Sequence, residues 1–357
     1  MTKTIVELQN VTKSYGPVVA VDNVSLAVSE GEFVVLLGPS GSGKTTILSM
    51  IGGFTVPTEG SITINGEDMT GIAPAFRPTV TVFQDYALFP HMTVFENVSF
   101  GLQMRNTGKA ERRQRTEKSL DVVGLSGFGD RSVDQLSGGQ RQRVALARAI
   151  AVEPAVLLLD EPLGALDLKI RQQMQGELVH LQNNIGATFV HVTHDQEEAM
   201  AIADNIVLIN EGKIEDYGPP ARVYLKPATL FAARFMGESN ILSGDVESSE
   251  SGFVVVNTGI GKLKVPGICE IGSKVSIAVR PEQLHPGTQT GEEIIDIGEV
   301  QVSEVTFQGT HRLCRAVPTT NQSDLSLLLR LPPEQRVKVG DVMSLYANRT
   351  QAVLLEK

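Results

Sequence analysis

Short apolar runs recur along this chain, and several of them stop at a polar side chain. Phe33–Leu37 (FVVLL) and 156–159 (VLLL) are apolar throughout, while 79–83 (TVTVF) and 189–192 (FVHV) nearly are. Runs of this length without alternation predict strands buried on both faces of an open α/β sheet. Residues 4–11, 18–28 and 61–65 alternate instead, as half-buried strands do, and 206–209 with 213–217 predicts a hairpin around Asn210-Glu211-Gly212. Helical periodicity marks 94–104, 110–123, the run RQRVALARAIAV after Gln140, and a long segment from Ala165 to about Asn184. Two short helices are expected near 219–225 and 229–236. Past Gly237 the text changes to short alternating runs (GFVVVNT, GKLKVP, SKVSIAV, LSLLLRL, VMSLYA) broken by Gly, Pro and Asn. That pattern predicts a small all-β domain, barrel-like or sandwich-like, with the boundary near 237–240.

The strand ends carry the candidate chemistry. FVVLL runs into GPSGSGKTT at 38–46, which is G-x-x-x-x-G-K-[ST] between a strand and a helix. Glycines 38, 41 and 43 let backbone N–H groups turn inward on a phosphate, and the helix N-terminus adds its partial positive charge. Lys44 is expected to reach the β- and γ-phosphates and the Thr45 hydroxyl to ligate Mg²⁺. The strand at 79–83 stops at Gln84, within reach of a metal ion or an attacking water. The strand at 156–159 ends in Asp160-Glu161, which offers a metal-site carboxylate and a base able to polarise water. The strand at 189–192 leads to His194, on the same sheet edge. Tyr15, in the turn 13–16, is a candidate to stack on a nucleotide base, against the plainer reading of an edge residue. Ser137-Gly138-Gly139-Gln140 opens a helix with an N-cap and uncovered N–H groups, a second phosphate-binding terminus. One nucleotide seldom needs two such cradles, so the second is expected to serve a neighbouring subunit.

Composition narrows the class. The chain carries a net charge of −10, 41% hydrophobic and 20% charged residues. The balance is −6 over 1–235 and −4 over 236–357, so neither half has the basic footprint of a nucleic-acid binder. No stretch approaches the roughly 18 apolar residues of a membrane span, and the start MTKTIVELQN lacks a signal-peptide core. A cytoplasmic protein is expected, with any membrane role exercised through a partner. Cys269 and Cys314 lack metal-ligand spacing and read as two reduced cysteines.

Taken together, GPSGSGKTT, Gln84, LSGGQ with RQRVALARA, VLLLDEP, ALD and VTHD resemble the ATP-binding subunit of an ABC (ATP-binding cassette) transporter. The tail, with ESNIL at 238–242 and VRPEQL at 279–284, is similar to the regulatory domain of importers for maltose, polyamines, iron and sulfate, and FMGESNIL leans towards the polyamine group. The resemblance implies a P-loop cassette over 1–237, with a mixed sheet core and a helical subdomain at about 88–154, followed by an all-β OB-like domain over 238–357. It implies ATP and Mg²⁺ as ligands. Tyr15 would stack on adenine, and Gly38, Pro39, Ser40, Gly41, Ser42, Gly43, Lys44, Thr45 and Thr46 would wrap the phosphates. Thr45, Gln84 and Asp160 would serve the metal, Glu161 would be the general base, and His194 would sense the γ-phosphate. Leu136, Ser137, Gly138, Gly139 and Gln140 would contact the ATP of an opposing copy, with Asp167 touching across the dimer. The implied partners are a second copy of the chain, two transmembrane permease subunits and, indirectly, an extracytoplasmic solute-binding protein. The implied location is the cytoplasmic face of the membrane. The surface from Tyr86 to Val98, with Phe89 and Met92 exposed, is expected to grip the permease. A soluble ABC ATPase of translation or repair fits less well, since there is one cassette and only 98 positions separate Gly38 from Leu136. The transported solute is the open question, with sugar, ferric iron and sulfate as rivals to polyamines.

Overall fold

The computed structural model describes residues 3–164, 168–291, 293–319 and 325–356. They form two compact units, 1–220 and 221–357. In the first unit the strands are β1 (Thr4–Tyr15), β2 (Val18–Ser29), β3 (Phe33–Leu37), β4 (Glu59–Ile64), β5 (Glu67–Asp68), β6 (Thr79–Val82), β7 (Val156–Asp160), β8 (Thr188–Thr193), β9 (Asn205–Asn210) and β10 (Lys213–Gly218). The helices are α1 (Lys44–Gly52), α2 (Val94–Met104), α3 (Lys109–Val122), α4 (Gly138–Ala151), α5 (Leu168–Ile185) and α6 (Gln196–Ile202), with α7 (Pro220–Leu225) and α8 (Leu230–Phe235) around and beyond the division.

The central sheet has the order β10-β9-β3-β8-β7-β6, parallel except for the β9–β10 hairpin. Because β3, β6, β7 and β8 run the same way, their carboxyl ends share one edge, where ligands meet open α/β sheets. The apolar runs give those strands: β3 is buried at all five positions and β8 at all six. An antiparallel sheet, β2-β1-β4-β5, shares its core with α1 and the central sheet through Val6, Leu36, Ile47 and Val192. Here β1 runs further than its alternation predicts. It pairs with β2 as far as Tyr15↔Val18, and register shifts between Leu8 and Ser14 absorb the polar stretch. Tyr15 therefore ends a strand rather than sitting in the turn, which is left to Gly16 and Pro17.

Helices α2, α3 and α4 pack around Val98, Leu102, Leu120, Val144 and Ala147 as a separate cluster. A capping box starts α2: the Thr93 hydroxyl accepts from Glu96 N while the Glu96 carboxylate accepts from Thr93 N. The expected opening of α5, Ala165-Leu166-Asp167, and with it the dimer-contact role of Asp167, lies outside the described residues. Among the described residues no helix is long and apolar enough to cross a membrane.

The second unit contains β11 (Asn240–Glu250), β12 (Phe253–Thr258), β13 (Gly261–Pro266), β14 (Lys274–Val279), β15 (His285–Pro286), β16 (Ile294–Phe307), β17 (Arg312–Pro318), β18 (Leu327–Leu331), β19 (Val342–Asn348) and β20 (Val353–Glu356). They make two five-stranded antiparallel sheets around one apolar core, the small OB-like all-β arrangement. This unit begins at Ala221, ahead of the boundary expected after Gly237. Its cause is Arg280, buried in VRPEQL, whose guanidinium donates to the carbonyls of Tyr224, Ala233 and Glu238 and to Ser239 Oγ. One side chain thus fastens α7 and α8 to the β domain.

Candidate functional site

The glycine loop leaves β3 and enters α1 through three glycines whose conformations differ in strictness. Gly41 and Gly43 have φ of +79° and +107°, in the left-handed region. A side chain at Gly38 would collide with the Ile209 carbonyl, and one at Gly43 would come within 2.5 Å of the Ala20 carbonyl. Nothing lies within 4 Å of that direction at Gly41. The loop is anchored where Gly212 N donates to Ser42 O at 3.0 Å. Gly43 caps α1 in a left-handed conformation with no side-chain cap, so the first-turn N–H groups face the loop. Lys44 is buried and donates to the carbonyls of Gly38 (2.9 Å) and Pro39 (2.7 Å). Burial holds its pKa below the ordinary lysine value, with Glu161 and Asp160 opposing the shift.

Strand β7 delivers the acids. Asp160 Oδ1 accepts from the Thr45 hydroxyl at 3.3 Å, which joins the end of β7 to the first turn of α1. Burial pushes the Asp160 carboxyl above the ordinary range; the Thr45 bond opposes this and the neighbouring Glu161 adds to it. Glu161 has φ of +45° and donates its N–H to Val192 O at 3.1 Å, so the backbone turns sharply off β7 against β8. Its carboxylate reaches His194 Nδ1 at 3.1 Å, where the His194 ring is 57% exposed. The other Glu161 oxygen and Gln84 Nε2 each lie 3.8 Å from the side-chain direction of Gly164, so the two groups flank one glycine that leaves room between them. Gln84 itself sits one residue beyond expectation in an exposed turn, because β6 stops at Val82.

Tyr15 is 52% exposed at the tip of the β1–β2 hairpin, with Lys13 Nζ 5.0 Å from its ring centroid. Two strands later in register, β2 presses the Ala20 carbonyl against Gly43 and Gly212, which brings this hairpin beside the glycine loop. Ser137 caps α4 with a full capping box: its hydroxyl accepts from Gln140 N at 3.3 Å and its N–H donates to Gln140 Oε1 at 2.9 Å. Leu136 is buried beneath that cap, in the core of the helical cluster, and Gly138 is exposed. The structure therefore brings Lys44, Thr45, Asp160, Glu161, His194 and Gln84 to one sheet edge and gives 136–140 its own helix terminus.

Three features had no signal in the sequence. His194 stands on a buried brace: Glu198 accepts from Thr193 Oγ1 (2.7 Å) and meets His191 Nε2 (2.8 Å), while Asp195 N donates back to Thr193 Oγ1. In the strand pattern His191 reads as an apolar position with an odd member, and Glu198 as one more acid of a helix. Tyr86 and Ala87, just past Gln84, both have left-handed backbones (φ +64° and +45°), which costs non-glycine residues about 1–3 kcal/mol each. Phe89 and Met92, expected to be exposed, are half-buried. Phe89 packs on Phe100 at 4.6 Å, and Asn97 of α2 holds its backbone N–H at 2.8 Å. The exposed aromatics here are Phe54 and Phe83, in edge contact at 5.6 Å.

Comparison with known proteins gives this geometry a lineage. A model of the ABC transporter family matches residues 21–164. The spermidine/putrescine import ATP-binding protein PotA of Rubrobacter xylanophilus is 50% identical over 311 residues, which is 85% of this chain and 81% of that protein. The chain belongs to the ABC transporter family. The similarity of this ABC ATPase to PotA 2 of Pseudomonas aeruginosa is 46% over 352 residues, 96% of both chains, and so includes the β domain. Among solved structures, a dimeric ATP-binding cassette in a post-hydrolysis state with ADP and Pi is 38% identical, with a TM-score of 0.53 over 60% of this chain and 99% of that one. CbiO1 of Clostridium perfringens, part of an ABC transporter complex, is 28% identical with a TM-score of 0.58 over 62% of this chain and 90% of that one.

Proposed function

We propose that this ABC ATPase powers import of polyamines of the spermidine/putrescine type, from the cytoplasmic face of a membrane, bound to two permease subunits fed by an external binding protein. The observation that carries the solute class is full-length similarity to PotA 2, 46% identical over 96% of both chains, β domain included.

ATP is the substrate of the cassette. Tyr15 supplies an aromatic face for the adenine, beside the loop that takes the phosphates. Residues 38–46 wrap the phosphates with backbone N–H groups, and phosphate oxygens replace the carbonyls of Gly38 and Pro39 as acceptors for Lys44. The donors around Thr45 suit Mg²⁺. A hydroxyl, the Asp160 carboxylate and the Gln84 amide are hard oxygen ligands, and among the described residues no trio of His, Cys, Asp and Glu forms a complete protein cage. That fits an ion that keeps waters and shares phosphates. When bound, Mg²⁺ neutralises charge on the phosphate oxygens.

Glu161 accepts a proton from the water as its oxygen bonds to the γ-phosphorus and the bond to the β-phosphate oxygen breaks, leaving ADP and phosphate. His194, in contact with Glu161, aligns that carboxylate and meets the γ-phosphate. Gln84 flanks the same position and reports it to the permease side. Leu136 to Gln140 cap the ATP held by a second copy, so each dimer encloses two nucleotides. The solute assignment is tested by uptake of labelled putrescine and spermidine into cells lacking the chromosomal copy, complemented with this chain or with Lys44→Ala. Uptake restored only by the unsubstituted chain supports it; unchanged polyamine uptake with a defect in sugar, ferric iron or sulfate overturns it.

A further inference from the structure

Arg148 lies about three turns along α4 from the Ser137 cap, in a 14-residue helix without a break. Its guanidinium donates to two consecutive carbonyls, Tyr86 O at 2.7 Å and Ala87 O at 2.6 Å, and sits 5.7 Å from the Phe89 ring centroid. Those are the two left-handed residues that follow Gln84. Elsewhere the turn is tied by the Tyr86 hydroxyl to Pro162 O (3.3 Å) and by Ala87 N to the Asp85 carboxylate (3.2 Å). A strained turn keeps its shape only when its surroundings over-determine it. Arg148 is the member of that set that belongs to α4. Two adjacent carbonyls match the planar fork of arginine, which a lysine point charge cannot span.

We propose that Arg148 is a positioning residue that makes the Gln84 turn and α4 one rigid piece, and so couples the two ATP sites of the dimer. This rests on the reading that Gln84 serves the ATP of its own chain while residues 136–140 serve the ATP of the other copy. A shift of Gln84 when its own site fills then tilts α4 and moves the Ser137 terminus at the opposite site. Burial keeps the guanidinium's pKa below its ordinary value while the Asp85 charge raises it, so the clamp stays a cation at every working pH.

The test is steady-state ATPase of the full chain against ATP concentration at fixed excess Mg²⁺. Nucleotide binding is followed separately with a fluorescent ATP analogue. The unsubstituted chain is expected to show a Hill coefficient of about 1.5–2, bounded by two sites. Arg148→Lys is expected to bind the analogue within about twofold of the parent and to lower the Hill coefficient to about 1. A structural brace alone would lower the melting temperature and scale kcat without changing that coefficient. Arg148→Met with Ala87→Gly removes the clamp while relieving left-handed strain, and is expected to recover melting temperature without recovering cooperativity. A coefficient of 1 in the parent, an unchanged coefficient in Arg148→Lys, or its recovery in the double variant overturns the coupling. Glu161→Gln run alongside separates the two failures: normal turnover there sinks the site reading, whereas its collapse beside an unaltered Arg148→Lys sinks only the clamp.

Discussion

Glu161→Gln isolates the chemical step. The substitution keeps the volume and one oxygen, so the 3.1 Å contact with His194 and the packing beside Gly164 remain, while the proton-accepting carboxylate is lost. A positioned general base contributes about 10²- to 10⁴-fold, and each factor of ten is about 1.4 kcal/mol of barrier, so the loss is about 3–5 kcal/mol. ATP affinity should change little, because residues 38–46 and Lys44 hold the phosphates and none is altered. The assay is phosphate release from the purified full chain, with size-exclusion chromatography in ATP and Mg²⁺. The expected result is turnover reduced at least 100-fold and a stable ATP-dependent dimer. Turnover within threefold of the parent would refute the general-base assignment, and loss of binding together with turnover would refute the claim that Glu161 acts on chemistry alone.

Other consequences follow from the same geometry. Gly43→Ala should abolish ATP binding, since its methyl meets the Ala20 carbonyl at 2.5 Å; Gly41→Ala, facing open space, should cost only about 1 kcal/mol of stability and keep binding. Equal effects in equilibrium titrations would contradict that contrast. Asp160→Asn should raise the nucleotide-free melting temperature near neutral pH while abolishing hydrolysis. With its pKa raised by burial, Asp160 favours the fold below the ordinary carboxylate range, and that contribution is lost as pH rises through the raised value. The gain should therefore vanish at acid pH, and a gain independent of pH would refute it. Arg280→Ala strands four buried acceptor groups and should cost about 3 kcal/mol, with faster amide exchange across α7 and α8 before the β sheets.

Much of the site was legible because the chemistry sits where periodicity changes. FVVLL, VLLL and FVHV have no polar face, so they are sheet interior, and the polar residue ending each falls on the same edge once the strands run parallel. The glycine loop and the Ser137 cap declare themselves by residue type. What stayed hidden depends on contacts between distant segments. Arg148 resembles the other arginines of RQRVALARA until its guanidinium meets the Tyr86 and Ala87 carbonyls. No residue type announced the left-handed pair, since neither is glycine or asparagine. The composition change at Gly237 marks where strands begin, whereas the compact unit begins at Ala221, because Arg280 binds helices that alternation does not reveal. Tyr15 was misplaced by one element for a related reason, as β-bulges extend a strand through polar text.

The claim that most needs a direct measurement is that ATP is enclosed between the glycine loop of one copy and the Ser137 terminus of another. Placing Ser40→Cys and Ser137→Cys in one chain, with Cys269 and Cys314 replaced by serine and Glu161→Gln to hold the closed state, allows an oxidative cross-link. With ATP and Mg²⁺ present, a disulfide-linked dimer should dominate a non-reducing gel and disappear without nucleotide. A monomer band whatever the nucleotide would contradict the shared site.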